Sequence, residues 1–458
     1  MPVTVWHADR AWLGGERVAR DVLIETRADR IAAVEPGRPP PPGARRLPGL
    51  VLPGLANAHS HAFHRALRGR THGGRGDFWS WRERMYQVAA RLEPDTYHAL
   101  ARAAYAEMAL AGVTAVGEFH YLHHPPGGGR YADPNAMAGA LAAAARDAGV
   151  RLTLLDACYL QADVDGSPLA GPQLRFGDGD AGRWAERAGR LAERVQAELA
   201  ESHGQAGGVR VGAAIHSVRA VPPAAMRAVA AWAGARHAPL HLHLSEQPRE
   251  NQACLAVTGR TPAGLCADTG VLGERTTAVH ATHLTGDDVA LLGGSSTAVC
   301  LCPTTERDLA DGIGPAARLA AAGAPLCLGS DSHAVVDLFE EARAVELDER
   351  LATLRRGQHR ATDLLAAATR HGMRSIGWEE AGAIEPGRLA DLVAVRLDTP
   401  RLAGAPADDL LAAVVFAAAA ADVSHVVAGG RLVVDGGRHT RVDDVPAALS
   451  SAIAAVVD

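Results

Sequence analysis

Lysine is absent from all 458 residues, so the 46 Lys and Arg positions are all arginine. This excludes Schiff-base catalysis, a phosphate-loop lysine and any metal pair bridged by a modified lysine. Cysteine is scarce and never forms a Cys-x-x-Cys pair. The six are Cys158, Cys254, Cys266, Cys300, Cys302 and Cys327, three of them in apolar strand-like runs. They read as buried free thiols, and the expected compartment is a reducing cytoplasm. The most apolar stretch, Leu410 to Ala421, is shorter than the roughly 20 residues that span a bilayer and reads as a buried helix. Met1 to Gly15 shows no charged leader followed by an apolar stretch, so no signal peptide is expected. There is no long basic run and the formal net charge is -6, which argues against a nucleic-acid surface. The His-x-Glu and Pro-Cys-x-x-Cys arrangement of one class of zinc nucleobase deaminases is also missing.

Hydrophobic residues make up 48% of the chain, enough for a sizeable core, and the length suits a barrel of roughly 250 residues or more with an appendage. Eight short apolar runs each end in polar residues. Leu50–Leu55 leads to His59 and His61, Val113–Val116 to Glu118 and His120, and Arg151–Leu155 to Asp156. Val209–Ile215 leads to His216, Pro239–Leu244 to Glu246, and Thr277–Val279 to His280. Thr297–Leu301 leads to Cys302-Pro303, and Pro325–Leu328 to Asp331. Between them lie Ala-rich stretches with helical periodicity: 96–111, 136–148, 181–199, 223–235 and 313–322. Alternating strands and helices of this number predict an α/β fold, a (β/α)8 TIM-like barrel whose catalytic face lies at the strand ends. The flanks look different. Residues 1–50 and 383–458 read as Gly-punctuated hairpins, so a small β-sandwich domain built from both chain ends is expected around a barrel of residues 51–382. Two loops, 121–131 and 161–180, are long enough to act as lids.

His59 and His61 stand one residue apart at a strand end, so their side chains share a face and can grip one metal ion. His243 and Asp331 end later strands. Three imidazoles and a carboxylate suit Zn²⁺ and leave room for water. His241 shares a strand face with His243 but lies one repeat deeper, about 6.6 Å from the rim, so His243 is preferred. His120, His123 and His124 could suggest a second metal; lacking a bridging lysine, they are read as polar lining instead.

Pro53 to His61, His243-Leu244-Ser245-Glu246, His280 and Ser330-Asp331-Ser332 resemble the amidohydrolase superfamily. The stretches 59–66, 78–86, 118–124, 216–220 and 311–313 resemble one of its families, the formimidoylglutamate deiminases. The resemblance implies hydrolysis of a C=NH group with release of ammonia, as in histidine degradation. It makes His59, His61, His243 and Asp331 ligands of one divalent metal, zinc by preference. Asp331 also accepts a proton from the attacking water, His280 stabilises developing charge, and Glu246 shuttles a proton to the departing nitrogen. Arg82 and Arg219, with their planar forks, would bind the two carboxylates of the substrate, helped by His64, Tyr121 and His216. Two departures stand out: His64 replaces the family's usual Gln, and Arg307-Asp308 replaces a more neutral pair. The expected partners are a small dicarboxylate substrate and a second copy of the chain, with no nucleic acid and no membrane. A purine or pyrimidine aminohydrolase and a non-catalytic metal-binding scaffold remain the alternatives.

Overall fold

A computed structural model describes residues 3–72, 76–201 and 208–457. Eight parallel strands follow one another around a barrel: Leu55–Ser60, Val113–His120, Arg151–Cys158, Val209–Ile215, Leu240–Leu244, Thr276–His280, Ala298–Leu301 and Leu326–Leu328. Nearly every residue in them is buried, as both faces of a barrel strand require. The last strand closes on the first. The Asp331 amide donates to the His59 carbonyl at 3.0 Å, and the His61 amide to the Asp331 carbonyl at 3.2 Å. The seam of the barrel therefore runs through three of the expected ligands.

The helices fall where alanine periodicity placed them: Pro94–Leu110, Ala136–Ala148, Ala181–Glu201 and Pro223–Ala235. The helix expected over 313–322 shrinks to Ala316–Ala321 because Gly312, Gly314 and Pro315 break its first turn. No helix among the described residues is long and apolar enough to cross a membrane. The far end of the barrel is plugged by the segment holding Met373, Ile376 and Trp378. Trp378 donates to Thr153, and Thr153 to the Ile376 carbonyl at 2.6 Å.

A second eight-stranded sheet is built from both chain ends. Its order is Arg438–His439, Arg431–Asp435, Val423–Ala428, Leu392–Val395, Arg45–Pro53, Val3–Ala11, Ala19–Arg27 and Arg30–Glu35. Late and early chain meet where Val393 pairs with Leu52 in antiparallel register. Within the expected Gly-punctuated region, Val423–Ala428 and Arg431–Asp435 form a hairpin that turns at Gly429 and Gly430, whose φ values of 56° and 73° favour glycine. A buried Arg151–Asp391 pair at 3.0 Å ties this sheet to the third barrel strand. The helix Val445–Val457 leaves the sheet and packs on Pro94–Leu110.

One strand assignment needs correction. The apolar run Leu50–Leu55 was expected to be the first barrel strand. Residues up to Pro53 instead pair within the chain-end sheet, and the barrel strand starts at Leu55. Gly54, closely flanked by Thr114 and Asp391, lets the backbone pass from one sheet to the other.

Candidate metal centre and active site

Four groups converge at the barrel mouth. One ligand-type atom from each of His59, His61, His243 and Asp331 lies within 4.8 Å of the others, and all four residues are buried. The Nε2 atoms of His59 and His243 stand 3.2 Å apart, and those of His61 and His243 3.4 Å apart. Asp331 Oδ1 is 3.2 Å from His59 Nε2 and 3.3 Å from His61 Nε2. The backbone shows which nitrogens carry protons. His61 Nδ1 faces the Phe119 carbonyl and His243 Nδ1 the His216 carbonyl, each at 2.9 Å, so both rings donate there and turn an Nε2 lone pair inward. Burial lowers all three histidine pKa values, that of His61 to about 3, which keeps the rings in the neutral, ligating form. Lone pairs this close repel each other unless a cation lies between them. The donor set therefore fits a divalent metal.

The catalytic candidates surround this point. Burial depresses the His280 pKa, but Glu246, a hydrogen bond donated to Glu306, and Asp331 outweigh it and raise the value to about 10. His280 Nε2 lies 3.8 Å from Glu246 Oε1 and 3.9 Å from Asp331 Oδ2, the oxygen turned away from the three imidazoles. Burial raises Glu246 to about 7, although His280 and Arg219 pull it back. A carboxyl poised near neutrality can both take and give a proton. Ser245, His280 and Asp331 all have positive φ, at 51°, 68° and 41°, a backbone region that costs non-glycine residues energy and that clusters at working sites.

A cavity of about 540 Å³, mouth included, opens above these groups. Arg82, Arg219, His64, Tyr121 and His216 all line it, so the structure brings every expected substrate-binding residue to one pocket. Arg219 is buried, with Nε 3.7 Å from Glu250. Arg82 faces the pocket of its own chain. It sits on a helix, Phe78–Ala89, which starts with a capping box between Asp77 and Ser80. His64 Nε2 meets the Tyr121 hydroxyl at 3.0 Å. His241 bonds the Ser375 carbonyl in the barrel interior, away from the ligand cluster.

Residues 50–433 match the model of the amidohydrolase family. The chain belongs to this family. It is 39% identical over 442 residues to a formimidoylglutamate deiminase of Pseudomonas aeruginosa, covering 94% of this chain and 95% of that one. It is also 33% identical over 399 residues to an 8-oxoguanine deaminase of the same organism, covering 84% and 83%. Among solved structures, an amidohydrolase from Brucella melitensis superposes with a TM-score of 0.90 at 34% identity, over 99% of this chain and 100% of that one. This amidohydrolase carries further site residues that sequence reading passed over. Glu306 accepts from the Cys302 amide at 2.9 Å and faces His280 Nδ1 at 3.4 Å, so it holds the ring that faces Glu246. Its signal was faint, a Glu four residues past a strand-end Cys-Pro. Glu118 accepts from Ser60 Oγ at 2.8 Å and the Ala62 amide at 2.7 Å, fastening the chain on both sides of His61. Phe176, near the end of the second long loop, joins Tyr86, Tyr121 and Tyr159 in an aromatic wall.

Of the second histidine group, His120 and His123 lie with Asp156, while His124 turns to Asp178 at 3.1 Å. Asp156 is already engaged by Arg187, at 2.7 and 2.9 Å, and by Trp184. A guanidinium here opposes a second cation, in line with the reading of this group as polar lining.

Proposed function

We propose that the protein hydrolyses N-formimidoyl-L-glutamate to N-formyl-L-glutamate and ammonia, using one divalent metal, zinc by preference. The observation that carries this reading is the pairing, in one pocket, of two arginines with the ligand set and its acid–base groups. The 39% identity to a formimidoylglutamate deiminase supports it. A metal held by His59, His61, His243 and Asp331 supplies a Lewis acid that can lower the pKa of water to about 7.

The chain's own groups do the rest. Asp331, whose Oδ2 lies 3.9 Å from His280 Nε2, accepts the proton of the attacking water. His280 stabilises the negative charge that builds up during attack. Glu246 carries a proton to the departing nitrogen, which leaves as ammonia. Arg219 and Arg82 hold the two carboxylates and fix the C=NH carbon over the ligand set. Tyr121, His64 and His216 add hydrogen bonds along the wall. With this reading go a role in histidine degradation, a cytoplasmic location and a dimeric state.

The aromatic wall gives the nucleobase reading one real argument, since planar rings stack on such surfaces. A neutral base, however, would leave both arginines without an anionic partner from the substrate, at a desolvation cost. An ammonia-release assay over formimidoylglutamate, formimidoylaspartate and guanine tests the choice. Efficient turnover of guanine alone overturns it.

A further inference from the structure

The helix that presents Arg82 packs Val88 and Ala89 of its C-terminal end into the core, and one buried side chain also grips its terminal carbonyls. Arg175 sits in the loop after the third barrel strand and is fully buried. Among the described residues no carboxylate forms an ion pair with it, although Glu93 and Tyr131 lie near enough to favour its charge. Its guanidinium donates to the carbonyls of Ala89, of Leu92 at 2.5 Å and of His124 at 2.8 Å. Ala89 ends the Arg82 helix and Leu92 lies just beyond it, so the cation sits on the negative end of the helix dipole and satisfies carbonyls left without helical partners. The Arg175 backbone carbonyl in turn accepts from the amides of His123 at 3.1 Å and His124 at 3.0 Å. One residue thus joins the segments that follow the first, second and third strands. The next residue, Phe176, faces the pocket among Tyr86, Tyr121 and Tyr159.

We propose that Arg175 is a positioning residue for carboxylate recognition: it locks the helix of Arg82, and with it the aromatic wall, onto the pocket. Arg82 lies seven residues before Ala89, about 10 Å along the helix, so looseness at the C-terminal end reaches the guanidinium as lost alignment. This rests on the proposed dicarboxylate substrate. Arg175 touches no reacting atom, so its loss affects binding rather than the chemical step.

The test uses metal-loaded full-length enzyme with Arg175→Met, Arg175→Lys, Arg82→Met and the Arg175→Met/Arg82→Met double variant. Arg175→Met should raise KM for formimidoylglutamate at least about tenfold, with kcat within about threefold of wild type. Arg175→Lys should recover part of the loss. In the double variant the two losses should overlap rather than multiply, because both act through Arg82. Amide exchange over residues 78–92 should quicken in Arg175→Met while the barrel strands stay protected. If Arg175→Met does not fold, Arg175→Lys carries the same comparisons with smaller effects. Losses that multiply, an unchanged KM, or unchanged exchange over 78–92 overturn the proposal. Wild-type inactivity toward formimidoylglutamate overturns the substrate reading instead, and the exchange measurement still decides the role of Arg175.

Discussion

Arg219→Met is the most decisive single substitution for the substrate assignment. Methionine roughly keeps the side-chain length and removes the charged fork. The Arg219 guanidinium is buried beside Glu250, with its Nε 3.7 Å from that carboxylate and its remaining donors free to meet a substrate carboxylate. A charge-assisted hydrogen bond is worth about 1.5–3 kcal/mol, and a forked guanidinium makes two. Some of that is lost to desolvation and side-chain ordering in the wild type, so about 3 kcal/mol is a conservative net figure. This is at least about 10²-fold in kcat/KM for formimidoylglutamate. Glu250 sets the limit from the other side. Burial already raises its pKa, opposed mainly by Arg219, so without Arg219 it should take up a proton rather than remain as a stranded charge. The loss should appear mostly in KM, since Arg219 binds ground state and transition state alike. The assay is steady-state ammonia release by metal-loaded enzyme, with a neutral formamidine as the control substrate. That control should be poor for wild type and indifferent to the substitution. Efficient guanine deamination that survives Arg219→Met would refute the dicarboxylate argument and leave the metal argument standing.

Other outcomes follow from the same geometry. Metal analysis should give one equivalent per chain; a reproducible two would refute the single-site reading of the His120 group. Glu246→Gln should keep the metal and lose about 10²–10⁴-fold in kcat, the usual cost of a general acid–base group, and near-normal turnover would remove Glu246 from the chemistry. Gly329→Ala should weaken metal binding at least about tenfold, because its methyl would stand 2.8 Å from both Cβ and the carbonyl oxygen of His59; competition with a chromogenic chelator reads this. Asp178→Asn should lower stability by about 1–3 kcal/mol near neutrality, since Arg187 and His124 lose an anionic partner. Burial works against the Asp178 carboxylate, but those two bonds outweigh it and hold its pKa below the usual range. The deficit should therefore be constant above about pH 5 and shrink as pH falls below the unfolded value of about 3.9, as urea midpoints across pH can show.

The barrel and its ligand set were legible because their signals are local. Each strand is a short apolar run, and each functional side chain follows directly at its end, as in Val279-His280 and Leu244-Ser245-Glu246. The first barrel strand was misplaced because Leu50–Leu55 is one apolar run feeding two sheets, and only the partner Leu392–Val395 divides it. The Arg82 helix was missed because its twelve residues mix aromatics with charges and hold a single alanine, unlike the Ala-rich helices that were read; the Asp77–Ser80 cap and distant contacts make it helical. Arg175 could not be read at all. Its partners lie 51, 83 and 86 residues away, beyond any local periodicity. Glu306 reaches its histidine across 26 residues and was equally silent.

The pairing of strand Arg45–Pro53 with Leu392–Val395 also bears on how the chain is made. The partner strand is encoded 339 residues later (392 − 53). At about 5–20 residues per second, synthesis leaves that edge open for roughly 20–70 s. Through that time a row of bare amides and carbonyls on an apolar strand is available to other nascent chains. Ribosome-associated holdases are therefore expected to engage the first fifty residues. Chains ending before Leu392 should collect in the insoluble fraction even though they contain all four proposed metal ligands.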